Sequence, residues 1–198
     1  MVNTVTVFSP DRARAAKPSV GTPAVRPGAA TEAVVLTDGT KVPVRPIRPA
    51  DAAALRRFHR RLSEQTVYQR FFAPHPELSV EQARYFTGVD GRRRFALVAV
   101  DPDRPSEIVA VVRFDHDKAG DGAEYAAVVA DDWQGRGLGR ALTQRLIAAA
   151  RSRGVRQLYA FVLPDNSRMR NLLLGLGMPA RTGFSDGVDR IELDLAGA

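Results

Sequence analysis

The sequence predicts a mixed α/β domain, a mixed sheet with one β-α-β crossover and helices on both faces. Three observations carry that expectation. Apolar runs of strand length alternate with segments of helical period, in the order hairpin, three helices, three strands, helix, strand, helix, hairpin. The run over 124–130 leads through a helical pattern over 137–153 to another run over 157–163, which makes those two strands parallel neighbours. Asp38-Gly39 and Asp186-Gly187 mark tight turns inside the two outer hairpins.

Each element has its own reason. "AVVL" and "KVPVRPI" flank Asp38-Gly39 as the first hairpin. In "PADAAALRRFHRRL", Leu55, Phe58 and Leu62 fall at helical spacing. "SEQTVYQRFF" reads as a short second helix that ends before Pro74. Ser79 and Gln82 form a capping-box pattern that opens a third, and Gly88 closes it. "RFALVAVD" and "EIVAVVRFD" are strands parted by the turn-rich "PDRPS", with His116 expected in the turn that follows. "AEYAAVV" precedes the crossover helix, which Gly154 stops, and "QLYAFVL" follows it. Asn166 is placed to cap "NSRMRNLLLGLG", and "RTGF" with "DRIELDL" makes the last hairpin.

At 198 residues the chain fits one domain. Prolines at 10, 18, 23 and 27, without a sustained apolar period, predict a disordered basic tail over 1–30 and a folded domain over 31–198. That tail lacks the continuous apolar stretch of an export signal. No run approaches the ~18 apolar residues of a membrane helix, so a soluble, cytoplasmic protein with no membrane partner is expected. The absence of cysteine excludes disulfides, thiolate metal sites and a cysteine nucleophile. His59, His75 and His116 lack ligand spacing, so no metal is expected. The net charge of +7 favours anionic ligands. Without an aromatic-interleaved basic motif, nucleic acid is not an expected partner, and nothing in the pattern specifies an oligomer.

The junction between strand and crossover helix reads Gln134-Gly135-Arg136-Gly137-Leu138-Gly139. The first N–H groups of a helix lack intrahelical acceptors and sit at the positive end of its dipole. Three glycines remove the Cβ atoms that would keep a phosphate from that backbone, and Arg136 and Arg140 add positive charge. The same glycines would equally serve a tight turn or close helix packing. No Gly-Lys-Ser/Thr follows, so this is not a Walker loop, and its spacing and late position differ from the dinucleotide fingerprint.

This hexapeptide resembles the Q/R-x-x-G-x-G/A signature of the GNAT acetyltransferases. The segment Asn166-Ser-Arg-Met169-Arg-Asn-Leu172-Leu-Leu-Gly-Leu-Gly177-Met has the spacing of that family's N-x-x-A/M-x-x-L-x-x-x-x-G-F segment, in the same order and context. The resemblance covers about residues 33–195. "VRPIRPADAAALRRFHRRLSEQTVYQRFF" and "AEYAAVVADDWQGRGLG" are most similar to the bacterial Pat-like protein lysine acetyltransferases. It implies a twisted mixed sheet of the GNAT type and acetyl-coenzyme A as acetyl donor. The backbone of Ala127, Val128 and Val129 would hold the pantetheine arm. Gln134, Gly135, Arg136, Gly137, Leu138, Gly139 and Arg140 would hold the pyrophosphate, and Asn166, also a helix cap, would touch the cofactor.

Acceptors implied by the resemblance are amines, foremost exposed lysines of protein substrates. A lysine amine with a pKa of about 10.4 costs roughly 4.6 kcal/mol to present neutral at pH 7. Glu124, ten positions before Gln134, matches the family's general base and shares a strand face with the small Ala126 and with Val128. Direct attack by the amine fits a chain without cysteine. Where many relatives carry a general-acid tyrosine this chain has Leu173. Tyr125, Tyr159 and Trp133 are expected to pack, and Arg56, Arg57, Arg60 and Arg61 form a charged helix face beside the acceptor groove of this fold. Transfer to a small amine, and a coenzyme A binding module without turnover, stand as the alternatives.

Overall fold

The computed structural model describes residues 32–118 and 120–197; the tail expected over 1–30 lies outside them. Strands are β1 Glu32–Val35, β2 Lys41–Pro46, β3 Arg94–Val100, β4 Ile108–His116, β5 Gly122–Val129, β6 Gln157–Val162, β7 Ala180–Ser185 and β8 Val188–Asp194. Helices are α1 Ala52–Arg60, α2 Glu64–Phe71, α3 Val80–Thr87, α4 Leu138–Arg151 and α5 Ser167–Leu174. The mixed α/β class holds. The strands form one sheet in the order β1-β2-β3-β4-β5-β6-β8-β7, antiparallel throughout except for the β5–β6 pair.

The crossover helix α4 buries Leu138, Leu142, Leu146 and Ala150, a stripe four residues apart that faces the sheet. It lies on the face that carries Tyr125, whose hydroxyl is 2.7 Å from the Thr143 hydroxyl. The opposite face takes α1 to α3, with Leu55 and Phe58 of α1 lying near Ala126 and Val128 of β5. Helices therefore cover both faces. The capping box of α3 forms as its spacing requires, Gln82 N donating to Ser79 Oγ at 3.1 Å and Ser79 N to Gln82 Oε1 at 2.9 Å.

Three of the four arginines at the α1 face hold partners while the face stays solvated. Arg56 donates to Leu78 O at 2.9 Å, Arg57 and Arg61 grip Glu107, and Arg61 also donates to Ile108 O at 2.8 Å. His116 is the last residue of β4, paired opposite Ala123, and not in a turn. Strand order also departs from chain order, because β8 lies between β6 and β7. Burial explains it. Ile191 and Leu193 of β8 need covering on the interior, whereas all six residues of β7 tolerate the exposed edge.

Candidate active site

The parallel ladder between β5 and β6 is short. Its register runs Gly122↔Gln157, Ala123↔Leu158, Glu124↔Tyr159 and stops, while β5 continues for five residues paired only with β4. Ala130 N donates to Val109 O on the β4 side, so by antiparallel alternation Ala127 and Val129 turn their backbone groups to the opened β6 side. Val129 O there accepts the Gln134 amide at 3.0 Å. Val128, expected to offer its backbone alongside them, turns those groups into the β4 ladder and offers its side chain instead. A cavity of about 500 Å³ occupies the divergence, and its lining joins Glu124 through Val129 to Gln134, Gly135, Gly137, Gly139, Arg140 and Asn166.

At one end of this cavity stands the N-terminus of α4. Ala141 is the first residue to donate within the helix, to Gly137 O at 3.1 Å, which leaves the N–H groups of Leu138, Gly139 and Arg140 directed past the helix end. Gly137 holds φ at +86°, where a side chain would be strained, and a Cβ on it would lie 3.3 Å from Thr37 Cγ2. A Cβ on Gly139 would meet Leu172 Cδ1 at 3.2 Å. The glycines thus serve both readings, a tight turn and close packing that together leave the helix N-terminus bare. An anion fits this backbone chemically.

Two residues of the loop depart from expectation. Arg136 turns its guanidinium outward, onto Asp38 at 2.8 Å, Thr40 Oγ1 at 3.1 Å and the Trp133 ring at 4.5 Å. Opposite charge and hydrogen bonds on the first hairpin outcompete the gap. Asp38 is held down to about 2 by Thr40, hydroxyl and backbone, and then by Arg136. Leu138 puts its side chain in the core at 1% exposure, so only its backbone can serve a ligand. Arg140 stays at the cavity wall, its Nη2 donating to Gly175 O at 2.7 Å.

Asn166 caps α5, its Oδ1 accepting from Met169 N at 3.1 Å, and its remaining amide hydrogens are what it has to offer the cavity it lines. Leu173 is core, at 1% exposure. Burial pushes the Tyr125 phenol up against the opposing bond to Thr143, and Tyr159 donates to Asp117 Oδ1 at 2.7 Å, its phenol raised by burial and that carboxylate.

Besides the expected Gln134, the wall includes Thr66, Arg70 and Arg168, which carry no signal at the level of sequence spacing. Gln134 ties the mouth together, its amide donating to Thr66 Oγ1 at 3.3 Å as well as to Val129, while its Oε1 accepts from Arg168 at 2.7 Å. Thr66 in turn donates to Asp131 at 2.7 Å. At the other end, Arg70 stands at the wall near Glu124. Burial and then repulsion by Arg113 hold Arg70 down to about 10, with Glu124 and Asp115 pulling it up, so it stays charged at neutral pH. Of these, only the "RFF" match to Pat-like enzymes drew attention to the stretch that holds Arg70 and Phe72.

Residues 41–179 match the family described as acetyltransferase (GNAT) domain. The chain is 35% identical over 158 residues to acetyltransferase PA5475 of Pseudomonas aeruginosa, covering 79% of this chain and 85% of that one. It is 32% identical over 135 residues to acetyltransferase Pat of Mycolicibacterium smegmatis, 68% of this chain but 40% of that relative. The crystal structure of the GNAT domain of S. lividans PAT superposes with a TM-score of 0.76 at 39% identity, covering 82% of this chain and 95% of that one. The chain belongs to the GNAT acetyltransferase family and is an acyltransferase whose acetyl donor is acetyl-coenzyme A.

Proposed function

We propose that this protein transfers acetyl from acetyl-coenzyme A to lysine ε-amines of protein substrates in the cytoplasm, by direct attack with Glu124 as general base. One observation supports it above the others. The β5–β6 ladder ends at the Glu124–Tyr159 pair, and the cavity that opens there has Glu124 at one end and the bare N-terminus of α4 at the other. Among the described residues no helix is long and apolar enough to cross a membrane.

When bound, the cofactor supplies an acetyl thioester. In this reading the backbone of Ala127 and Val129 aligns its arm as an added strand would, and N–H groups of Leu138, Gly139 and Arg140 hold its diphosphate. Glu124 accepts a proton from the lysine ammonium, offsetting the roughly 4.6 kcal/mol needed to neutralise it at pH 7. The amine then forms its bond to the acetyl carbon as the carbon–sulfur bond breaks. Leu173 offers no proton to sulfur, and a thiolate departs without one.

That same Leu173 favours a second reading, a coenzyme A binding module without turnover. Incubation with labelled acetyl-coenzyme A and separate pools of proteins and small amines decides between them. Label is expected on protein lysines, and Glu124→Gln is expected to lower kcat by about 10²–10⁴ while coenzyme A binding persists. Undiminished transfer by Glu124→Gln removes the base; label confined to small amines removes the lysine acceptor; binding without transfer to either pool favours the second reading.

A further inference from the structure

Behind the Glu124 half of the main cavity lies a smaller one of about 50 Å³. The two share Arg70, Ala126 and Val128 as a common wall, at which Ala126 presents only a methyl group. Much of the smaller lining is apolar, from α1, α2 and the sheet, but it also holds His59, Arg70 and Arg113. His59 is 4% exposed, and neither of its ring nitrogens has a hydrogen-bond partner. Buried imidazole nitrogens left so cost stability until a ligand, ion or water satisfies them.

Two of the lining groups are guanidiniums with acidic neighbours. Arg94 lies 3.1 Å and Arg113 3.3 Å from the Asp115 carboxylate, and Arg70 stands in the field of Glu124. Burial keeps His59 and the neighbouring His75 below their ordinary values, so both are neutral at pH 7 and each has one N–H to donate. At ~10–15 Å³ for each water-sized occupant, the cavity has room for about three to five heavy atoms. That is the size of a methylene with a carboxylate.

We propose that the smaller cavity is an acyl-specificity subsite, which receives the carboxylate end of a short dicarboxylic acyl group carried on coenzyme A, malonyl or succinyl, with His59 donating to that carboxylate. The inference rests on the reading above, in which the main cavity holds the acyl thioester beside Ala126. The transfer step is unchanged. The lysine nitrogen bonds to the thioester carbon, the carbon–sulfur bond breaks, Glu124 takes the amine proton, and the distal carboxylate is carried onto the lysine intact. A site that meets a ligand's polar end with a buried donor discriminates strongly against an analogue that lacks it.

Calorimetric titration of the protein with coenzyme A and its acetyl, butyryl, malonyl and succinyl thioesters, repeated on His59→Phe and His59→Gln, tests this. The wild type is expected to bind malonyl- or succinyl-coenzyme A about tenfold more tightly than butyryl-coenzyme A. His59→Phe is expected to erase that preference while acetyl-coenzyme A changes by less than twofold, and His59→Gln, which keeps a donor, to retain part of it. Should His59→Phe fail to fold, Val111→Leu narrows the cavity without touching the imidazole and is expected to weaken succinyl more than acetyl binding. Equal or tighter binding of butyryl by the wild type marks a plain apolar pocket and overturns the proposal, as does a preference that survives His59→Phe. If coenzyme A binds but the acyl groups are not discriminated, this inference alone falls; if coenzyme A itself does not bind, the cofactor site falls with it.

Discussion

Gly137 shows how one residue can carry two duties at the cofactor end. Its φ of +86° turns the chain from the short 3-10 segment Asp131–Trp133 into α4, and its missing side chain spares Thr37 of the first hairpin. Gly137→Ala meets both constraints together, positive φ and a 3.3 Å contact. Such a substitution at positive φ costs more than about 1 kcal/mol. Urea denaturation is expected to show that loss, and calorimetry a weaker grip on coenzyme A, because Leu138, Gly139 and Arg140 take their N–H directions from this turn. Arg136, its neighbour, teaches the converse. Its positive charge looked destined for the ligand, yet Asp38, 98 positions away, holds it. No local pattern could announce a partner that distant.

Among the elements, the layer formed by α1, α2 and α3 is where acid should act first. His59 and His75 stand with ring centroids 5.5 Å apart, His59 lowered by burial and then by His75, His75 lowered by burial and by Arg70 against a hydrogen bond it donates to Gln82. Arg70 and Arg113 add fixed positive charge to the same packing. Because the folded values lie below the unfolded value of about 6.5, the unfolded chain takes up these protons first as pH falls. Stability is therefore expected to be level above about pH 7.5 and to decline through and below 6.5, until the pH passes the folded values. The depressed carboxylates, Asp101, Glu107 and Asp131 among them, lose their contribution only below about 4. Urea midpoints between pH 7.5 and 5.5 separate the two, and His59→Phe is expected to flatten part of that slope; an unchanged slope would mean that His59 titrates as it does in water.

For the whole molecule, what was legible in the sequence was what depends on neighbours in the chain. Periodicity placed α4, the dipeptides Asp38-Gly39 and Asp186-Gly187 placed the turns, and the clustered glycines marked the turn into α4. What stayed hidden depends on pairing at a distance. Thr66 and Arg70 reach the cavity from α2 and Arg168 from α5, about a hundred positions later, and Arg70 is tuned by Arg113 and Asp115 of β4. The opening between β5 and β6 has a testable effect on the molecule as a unit. A ligand that binds the folded chain alone at one hundred times its Kd adds about 2.7 kcal/mol. Coenzyme A is expected to raise the melting temperature accordingly, and no rise would remove the cofactor from this cleft.

The placement of β8 between β6 and β7 reaches beyond the finished molecule. During synthesis β6 leaves the ribosome with its outer edge bare, and the strand that covers it is made last of the eight. A nascent chain paused before Val188 therefore carries an unpaired strand border beside its half-built cleft, the kind of edge that invites association with other chains.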